Sequence, residues 1–271
     1  MLGRLAFVAV SVEPLTDETV GTIALGDLRV RRFGFGAMRI TGEGIWGPPA
    51  DPDEAIAVLR RAVELGINLI DTADSYGPNV SEELISEALR PYPEDLVIAT
   101  KGGLTRKGPN QWPRDARPEH LREACEGSLR RLGLERIDLY QLHHPDPKVP
   151  YEESVGTMKE LQHEGKVRYI GVSNVNVEQL ATAREIVDVV SVQNRYNLGD
   201  RDSADVLEVC QRDGMAFIPW FPLNAGDIDV GPAPALAWLL AQEQVLPIPG
   251  TSSVAHLEEN VEAARSATRD R

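Results

Sequence analysis

Two rhythms of apolar spacing alternate along this chain. Short, nearly continuous apolar runs read as buried strands at Phe33–Met38, Ile67–Asp71, Leu96–Lys101, Ile137–His143, Val167–Val172, Val189–Gln193, Ala216–Trp220 and Val245–Pro249. Between them, apolar residues recur at helical spacing. Asp51 and Pro52 open the first such segment as N-cap and first-turn proline, Ile56, Leu59 and Val63 mark its inner face, and Gly66 ends it. Further helices are expected over Ser81–Leu89, Pro118–Leu132, Tyr151–His163, residues 176–186, residues 201–213, Ala233–Gln242 and Ser253–Ala264. Ahead of this series, residues 20–32 alternate on either side of Gly26 and Asp27, the pattern of a β-hairpin.

Eight strands alternating with helices predict an α/β fold, a (β/α)8 barrel. The expected layout is one barrel domain over residues 1–271: an N-terminal extension at 1–19, the hairpin at 20–32 and the barrel at 33–267. An open doubly wound sheet is the alternative. The Gly-x-Gly of Gly34-Phe35-Gly36 lacks a third glycine and an immediate helix, since a loop with Trp46 and prolines follows, so the dinucleotide-fold fingerprint fails.

Composition narrows the function classes. The 271 residues, 42% hydrophobic and 26% charged, fit a soluble globular protein. A net charge of −14 (28 basic, 42 acidic) disfavours nucleic acid and anionic membranes as partners. Cys125 and Cys210 fall in helical patterns without metal-ligand spacing, so reduced core thiols in a cytoplasm, no disulfide and no metal are expected. No apolar run is long enough to span a membrane, and the short run Leu5–Val10 reads as an extra strand. A monomer is the working expectation.

In such a barrel the strand C-termini share one face, where active sites are built. Asp71, Lys101 and His143 end strands two, three and four, and Tyr76 sits on the loop above strand two. A lysine held charged by an aspartate stabilises a neighbouring phenolate and lowers its pKa, so Tyr76 can act as general acid or base. His143 can orient and polarise a carbonyl oxygen. No side chain donates hydride, so this chemistry calls for a nicotinamide cofactor.

Asp71-Thr-Ala-Asp-Ser-Tyr-Gly77, the strand ending in Lys101, Leu139-Tyr-Gln-Leu-His143, Gly171-Val-Ser-Asn174 and Ile248-Pro-Gly-Thr-Ser252 resemble the aldo-keto reductase superfamily over roughly residues 22–267. The resemblance implies an NAD(P)H-dependent carbonyl reductase with Tyr76 as acid/base, Asp71 and Lys101 tuning it, and His143 orienting the substrate. His144, on the opposite strand face by alternation, is taken as a bystander. By the same resemblance Ser173, Asn174 and Gln193 should bond the nicotinamide carboxamide and Trp220 should stack on its ring. Ala37, Met38, Pro222 and Leu223 should line the cofactor cleft, which Asp71 also borders.

At the adenosine end, Gly250, Thr251 and Ser252 are candidates for a 2′-phosphate, and Ser252 or Ser253 for the cap of the last helix. The family pattern has Lys and Arg where this chain has Gly250 and His256; NADPH is still the expected cofactor, with NADH as the alternative. Glu259 and Asn260 match adenine-contacting positions. The segment 224–232 is shorter than the loop relatives carry there, which implies an open cleft. Trp46 and Trp112 are the candidate substrate wall, suited to an aldehyde or ketone with an aromatic or bulky body. Two other functions fit parts of the pattern: a cofactor-binding regulatory subunit with little turnover, and an aldolase or isomerase using Lys101 as a Schiff-base amine.

Overall fold

The computed structural model describes residues 12–223 and 231–269, with side chains to residue 267. The run Leu5–Val10 and most of the shortened segment 224–232 lie outside the described residues. Of the N-terminal extension, Leu15 is buried and a short helix α1 (Asp17–Val20) packs Val20 into the core.

The hairpin forms as expected, β1 (Thr22–Leu25) pairing antiparallel with β2 (Leu28–Arg31) in the register Thr22 to Arg31. Its turn needs a residue at φ +64, and Gly26 supplies it; a Cβ there would collide with the Tyr169 ring. Tyr169 in turn donates its hydroxyl to Asp27, 2.6 Å away, so the turn is pinned to the barrel.

Seven parallel strands follow in sequential order: β3 (Phe35–Gly36), β4 (Leu69–Asp71), β5 (Val97–Gly102), β6 (Ile137–Leu142), β7 (Val167–Ser173), β8 (Val189–Gln193) and β9 (Ala216–Phe217). The eighth strand expected at Val245–Pro249 is not a regular strand. Pro247 and Pro249 carry no N–H and cannot donate to a ladder. Their carbonyls still accept from Gly34 and Gly36 (3.0 and 3.4 Å), and on the other side Leu246 donates to Phe217 at 2.9 Å. An extended segment thus fills the eighth place and closes the barrel between β9 and β3. Proline also shortens β9, which stops before Pro219, while β3 gives way to a 3-10 turn at Ala37–Ile40.

The helices are α2 (Pro52–Glu64), α3 (Val80–Leu89), α4 (Pro118–Leu132), α5 (Tyr151–His163), α6 (Val177–Ile186), α7 (Ala204–Asp213), α8 (Pro232–Leu240) and α9 (Val254–Arg269). Asp51 caps α2 by accepting the Glu54 N–H at 3.0 Å, and Gly133 ends α4 in the left-handed conformation. Two apolar clusters lie where helices pack on strands, and Cys125 and Cys210 are buried free thiols within one of them. A third cluster joins hairpin residues Ile23, Leu25 and Val30 to Leu69, Val97, Ala99, Leu139, Val190 and Leu246. The hairpin therefore plugs one end of the barrel, leaving the strand C-termini as the open face.

Closure leaves no room at β3. A Cβ on Gly36 would lie 2.7 Å from the Ile248 carbonyl oxygen, whereas Gly156 on α5 faces open space. Gly36→Ala is expected to cost about 1–3 kcal/mol by overpacking, which at about 2–4 °C per kcal/mol lowers the melting temperature by roughly 3–10 °C. Gly156→Ala should raise it by about 1–3 °C through helix propensity. Differential scanning calorimetry of both variants checks the pair.

Candidate active site

The open face gathers the charged and polar residues that the strands deliver. β4 ends in Asp71, β5 carries Lys101, His143 follows β6 directly, and the turn after β4 brings Tyr76 over them. Lys101 is fully buried, and its ammonium has three N–H groups. They meet Asp71 Oδ1 at 2.6 Å, the Thr72 carbonyl at 2.8 Å and the Tyr76 hydroxyl at 3.4 Å. The other carboxylate oxygen of Asp71 accepts from Gln141 Nε2 at 3.1 Å and Gln193 Nε2 at 2.8 Å. The His143 ring stands edge-on to Tyr76, centroids 5.8 Å apart, and its Nδ1 lies 3.4 Å from Ser75 Oγ.

Electrostatics correct one expectation. Burial disfavours the Tyr76 phenolate more than the Lys101 charge favours it, so the phenol pKa is raised rather than lowered. The Lys101 contribution has the expected sign but is outweighed. Burial opposes the Lys101 ammonium too, yet Asp71 and Tyr76 overcome this and raise its pKa. An amine so firmly protonated and hydrogen-bonded is poorly suited to forming a Schiff base. Burial, with Lys101 nearby, holds His143 well below its ordinary pKa, so the imidazole is neutral at pH 7.

Ser173, Asn174 and Trp220 form a linked belt at the ends of the next strands. Asn174, at φ +58, donates to the His143 carbonyl (2.9 Å) and to Ser173 Oγ (3.0 Å), and accepts from Trp220 Nε1 at 3.1 Å. Gln193 directs its amide N–H to Asp71. Ala37 and Pro222 are buried, Met38 and Leu223 half-buried. Gly250 touches the backbone of Gly36: a Cβ on Gly250 would collide with the Gly36 oxygen, so the two segments meet as bare main chain.

At the start of α9, Ser253 takes the cap position, its carbonyl accepting the Leu257 N–H at 3.0 Å. The Val254 N–H is met at 3.0 Å by the Glu54 carboxylate of α2, not by a serine hydroxyl. Thr251 Oγ1 accepts from Ser253 N at 3.1 Å, while Ser252, His256 and Glu259 are exposed and Asn260 is buried. Ser252 is exposed beside the start of α9, and the Arg39 side chain packs against Gly250, its Cγ 3.7 Å from a Cβ placed there.

Trp112 meets Tyr76 edge-on at 6.3 Å, and Trp46 bridges by its backbone to Gly77. Trp112 therefore borders the phenol, while Trp46 is the more exposed of the two and is tied to the phenol loop through its backbone. His144 turns to its own neighbour, Nδ1 lying 3.0 Å from the Pro145 carbonyl.

Two buried polar residues at this face were not singled out in the sequence, Gln141 and Asp74. Gln141 shares the inward face of β6 with His143, and that parity was available as a signal. Asp74 is buried beside the phenol loop with Oδ1 lacking a partner among the described residues; burial and then Glu82 push its pKa up to about 8. No local pattern distinguishes it from a turn aspartate.

Residues 32–229 match the model of the Aldo/keto reductase family. The chain is 50% identical over 260 residues to an uncharacterized oxidoreductase of Schizosaccharomyces pombe, spanning 90% of this chain and 85% of the relative. It is 42% identical over 265 residues to pyridoxine 4-dehydrogenase of Escherichia coli, spanning 90% and 93%. Among solved structures, an aldo-keto reductase of Klebsiella pneumoniae in complex with NADPH superposes with a TM-score of 0.75 at 27% identity, over 94% of this chain and 90% of that one. With the sequential parallel barrel and its polar C-terminal face, these matches establish that the chain belongs to the aldo/keto reductase family of NAD(P)H-dependent oxidoreductases.

Proposed function

We propose that the protein reduces an aldehyde or ketone to the alcohol with NADPH, Tyr76 supplying the proton. The observation that carries this reading is the Lys101 ammonium, anchored on Asp71 and the Thr72 carbonyl with its third N–H directed at the Tyr76 hydroxyl. A bound nicotinamide dinucleotide would supply the hydride, and the carbonyl oxygen, gaining charge as hydride reaches the carbon, would take the Tyr76 proton. The phenolate left behind faces Lys101 and is reprotonated from solvent. A raised Tyr76 pKa suits this direction, because the phenol carries its proton at neutral pH. With the Ser75 hydroxyl donating to Nδ1, neutral His143 keeps its proton on Nε2 and donates a hydrogen bond to the substrate oxygen.

NADPH is supported by the Klebsiella pneumoniae relative solved with it. Gly250, standing where the family pattern has lysine, and the Glu54 carboxylate on the Val254 N–H leave NADH as a second donor. An aromatic or bulky aldehyde fits the two indoles; the pyridine ring in the name of the Escherichia coli relative's substrate is of that kind. The defining assay is NADPH absorbance decay at saturating 4-nitrobenzaldehyde, with NADH alongside. Turnover is expected, faster with NADPH, and no turnover with either would overturn the proposal.

Tyr76→Phe should lower kcat by about 10²–10⁴-fold, the range for a lost general acid, with NADPH affinity by fluorescence titration changed less than about twofold. Alcohol oxidation needs the phenolate, which Lys101 stabilises. Lys101→Met should therefore move the rise of the oxidation rate to higher pH; an unmoved profile with intact activity would refute the coupling.

Asp74 generates a separate prediction on stability. Its folded pKa of about 8 lies above an unfolded value near 3.9. Between about pH 4 and pH 8 folding takes up a proton, so stability falls as pH rises through that window. Asp74→Asn, which mimics the protonated form, removes this dependence. Its melting temperature relative to the parent should climb between pH 5.5 and 8.5 by more than about 4 °C, as read by calorimetry.

A further inference from the structure

We propose that Arg106 is the positioning residue that holds the substrate wall, Trp46 and Trp112, against Tyr76. A guanidinium has five N–H donors in a rigid plane. In Arg106 backbone carbonyls take all five. Nε donates to Gln111 O at 3.0 Å. Nη1 donates to Ile45 O at 2.6 Å and Ser75 O at 3.0 Å. Nη2 donates to Gly44 O at 2.9 Å and Gly108 O at 3.3 Å. Three segments distant in sequence are joined at one side chain: the loop ending in Trp46, the residue preceding Tyr76, and the loop leading to Trp112.

The faces of the guanidinium are used as well. Its central carbon lies 3.6 Å from the Trp112 ring centroid and 5.7 Å from that of Trp46. Cation–π attraction therefore fixes the two indoles relative to the same atom that fixes their backbones. Neighbouring contacts point the same way: Asn110 N donates to Gly44 O at 2.9 Å, and the Trp46 segment bridges to Gly77. Among the described residues no carboxylate pairs with Arg106, and burial pulls its pKa down. A cation kept half-buried without a counter-ion is costly as stability alone. What it gains here is a defined shape beside the phenol.

Two consequences follow for specificity. With every N–H engaged, Arg106 has none left for a substrate carboxylate, so the wall selects by shape and aromatic surface and not by pairing with an anion. The favoured class is a flat aromatic aldehyde lying along Trp112 with its carbonyl oxygen at Tyr76. Lysine cannot replace arginine, because three donors on one nitrogen cannot reach five carbonyls on three segments.

This inference rests on the carbonyl reduction proposed above, and the experiment separates the two. Arg106→Lys and Arg106→Ala are assayed with 4-nitrobenzaldehyde and with propanal, alongside NADPH affinity, tryptophan fluorescence and circular dichroism. In folded variants KM for the aromatic aldehyde should rise about tenfold, kcat and the NADPH dissociation constant should change less than about threefold, and propanal kinetics should change little. Tryptophan emission should shift to the red as Trp112 loses its cover, a readout independent of turnover. The effects of Arg106→Lys and Trp112→Leu on KM should be less than additive in the double variant, because the two side chains share a contact. Unchanged KM and emission in the folded Arg106→Lys variant, or additive effects in the double variant, would overturn the role of Arg106. Absence of turnover in the parent would count against the reduction itself, leaving the emission shift to decide Arg106.

Discussion

A buried positive charge facing a buried negative one constrains most of this barrel's upper half. Taking both ions out of water costs several kcal/mol each unless geometry and hydrogen bonds compensate. Asp71 and Lys101 meet that condition through saturation: the ammonium has three acceptors and the carboxylate three donors. Gln141 and Gln193 occupy strand positions that an ordinary barrel would fill with Val or Ile, since an apolar residue at either would leave a carboxylate lone pair unsatisfied. The layer below them is almost wholly apolar and capped by the hairpin. The barrel is thus divided along its axis, and the division follows from one ion pair.

The same pair decides what kind of acid Tyr76 can be. A phenol in a dry site holds its proton more tightly, and a cation beside it loosens that hold. Here burial wins on balance. A protonated phenol beside a fixed cation is ready to give its proton to an oxygen that is gaining charge, and the phenolate it becomes is already neutralised in part. His143 is neutral by the same logic, because burial and Lys101 both oppose a second positive charge. One ammonium therefore sets the protonation state of two neighbours.

Much of this was legible in the sequence, for identifiable reasons. Apolar runs separated by capped helices predict β3 to β8 within two residues of their observed ends, while β9 stops three residues short of Trp220. Strand ends carrying Asp71, Lys101 and His143 could be brought together by topology alone, since parallel strands must present their C-termini on one face. The eighth strand was misjudged because Leu246 and Ile248 look like strand residues while Pro247 and Pro249 lack the N–H a ladder needs. The Tyr76 pKa was misjudged because charge is visible in a sequence and burial is not. Arg106 left no trace at all: its partners are main-chain carbonyls, which every residue has.

That last contrast separates two kinds of information in the chain. The proton transfer proposed for Tyr76 depends on side chains fixed at strand ends, where shifting the backbone would break the barrel. On the proposed reading substrate fit depends on loops at 43–47 and 106–112, and loops tolerate change. A loop wall can nonetheless be rigid if something over-determines it. Five hydrogen bonds and two ring contacts on one guanidinium do so here, without a regular element. The arrangement lets the wall be remodelled, by altering what Arg106 grips, while Asp71, Tyr76, Lys101 and His143 stay in place. On the proposed reading the chemistry belongs to the barrel and the choice of substrate to a knot of loops tied by one side chain.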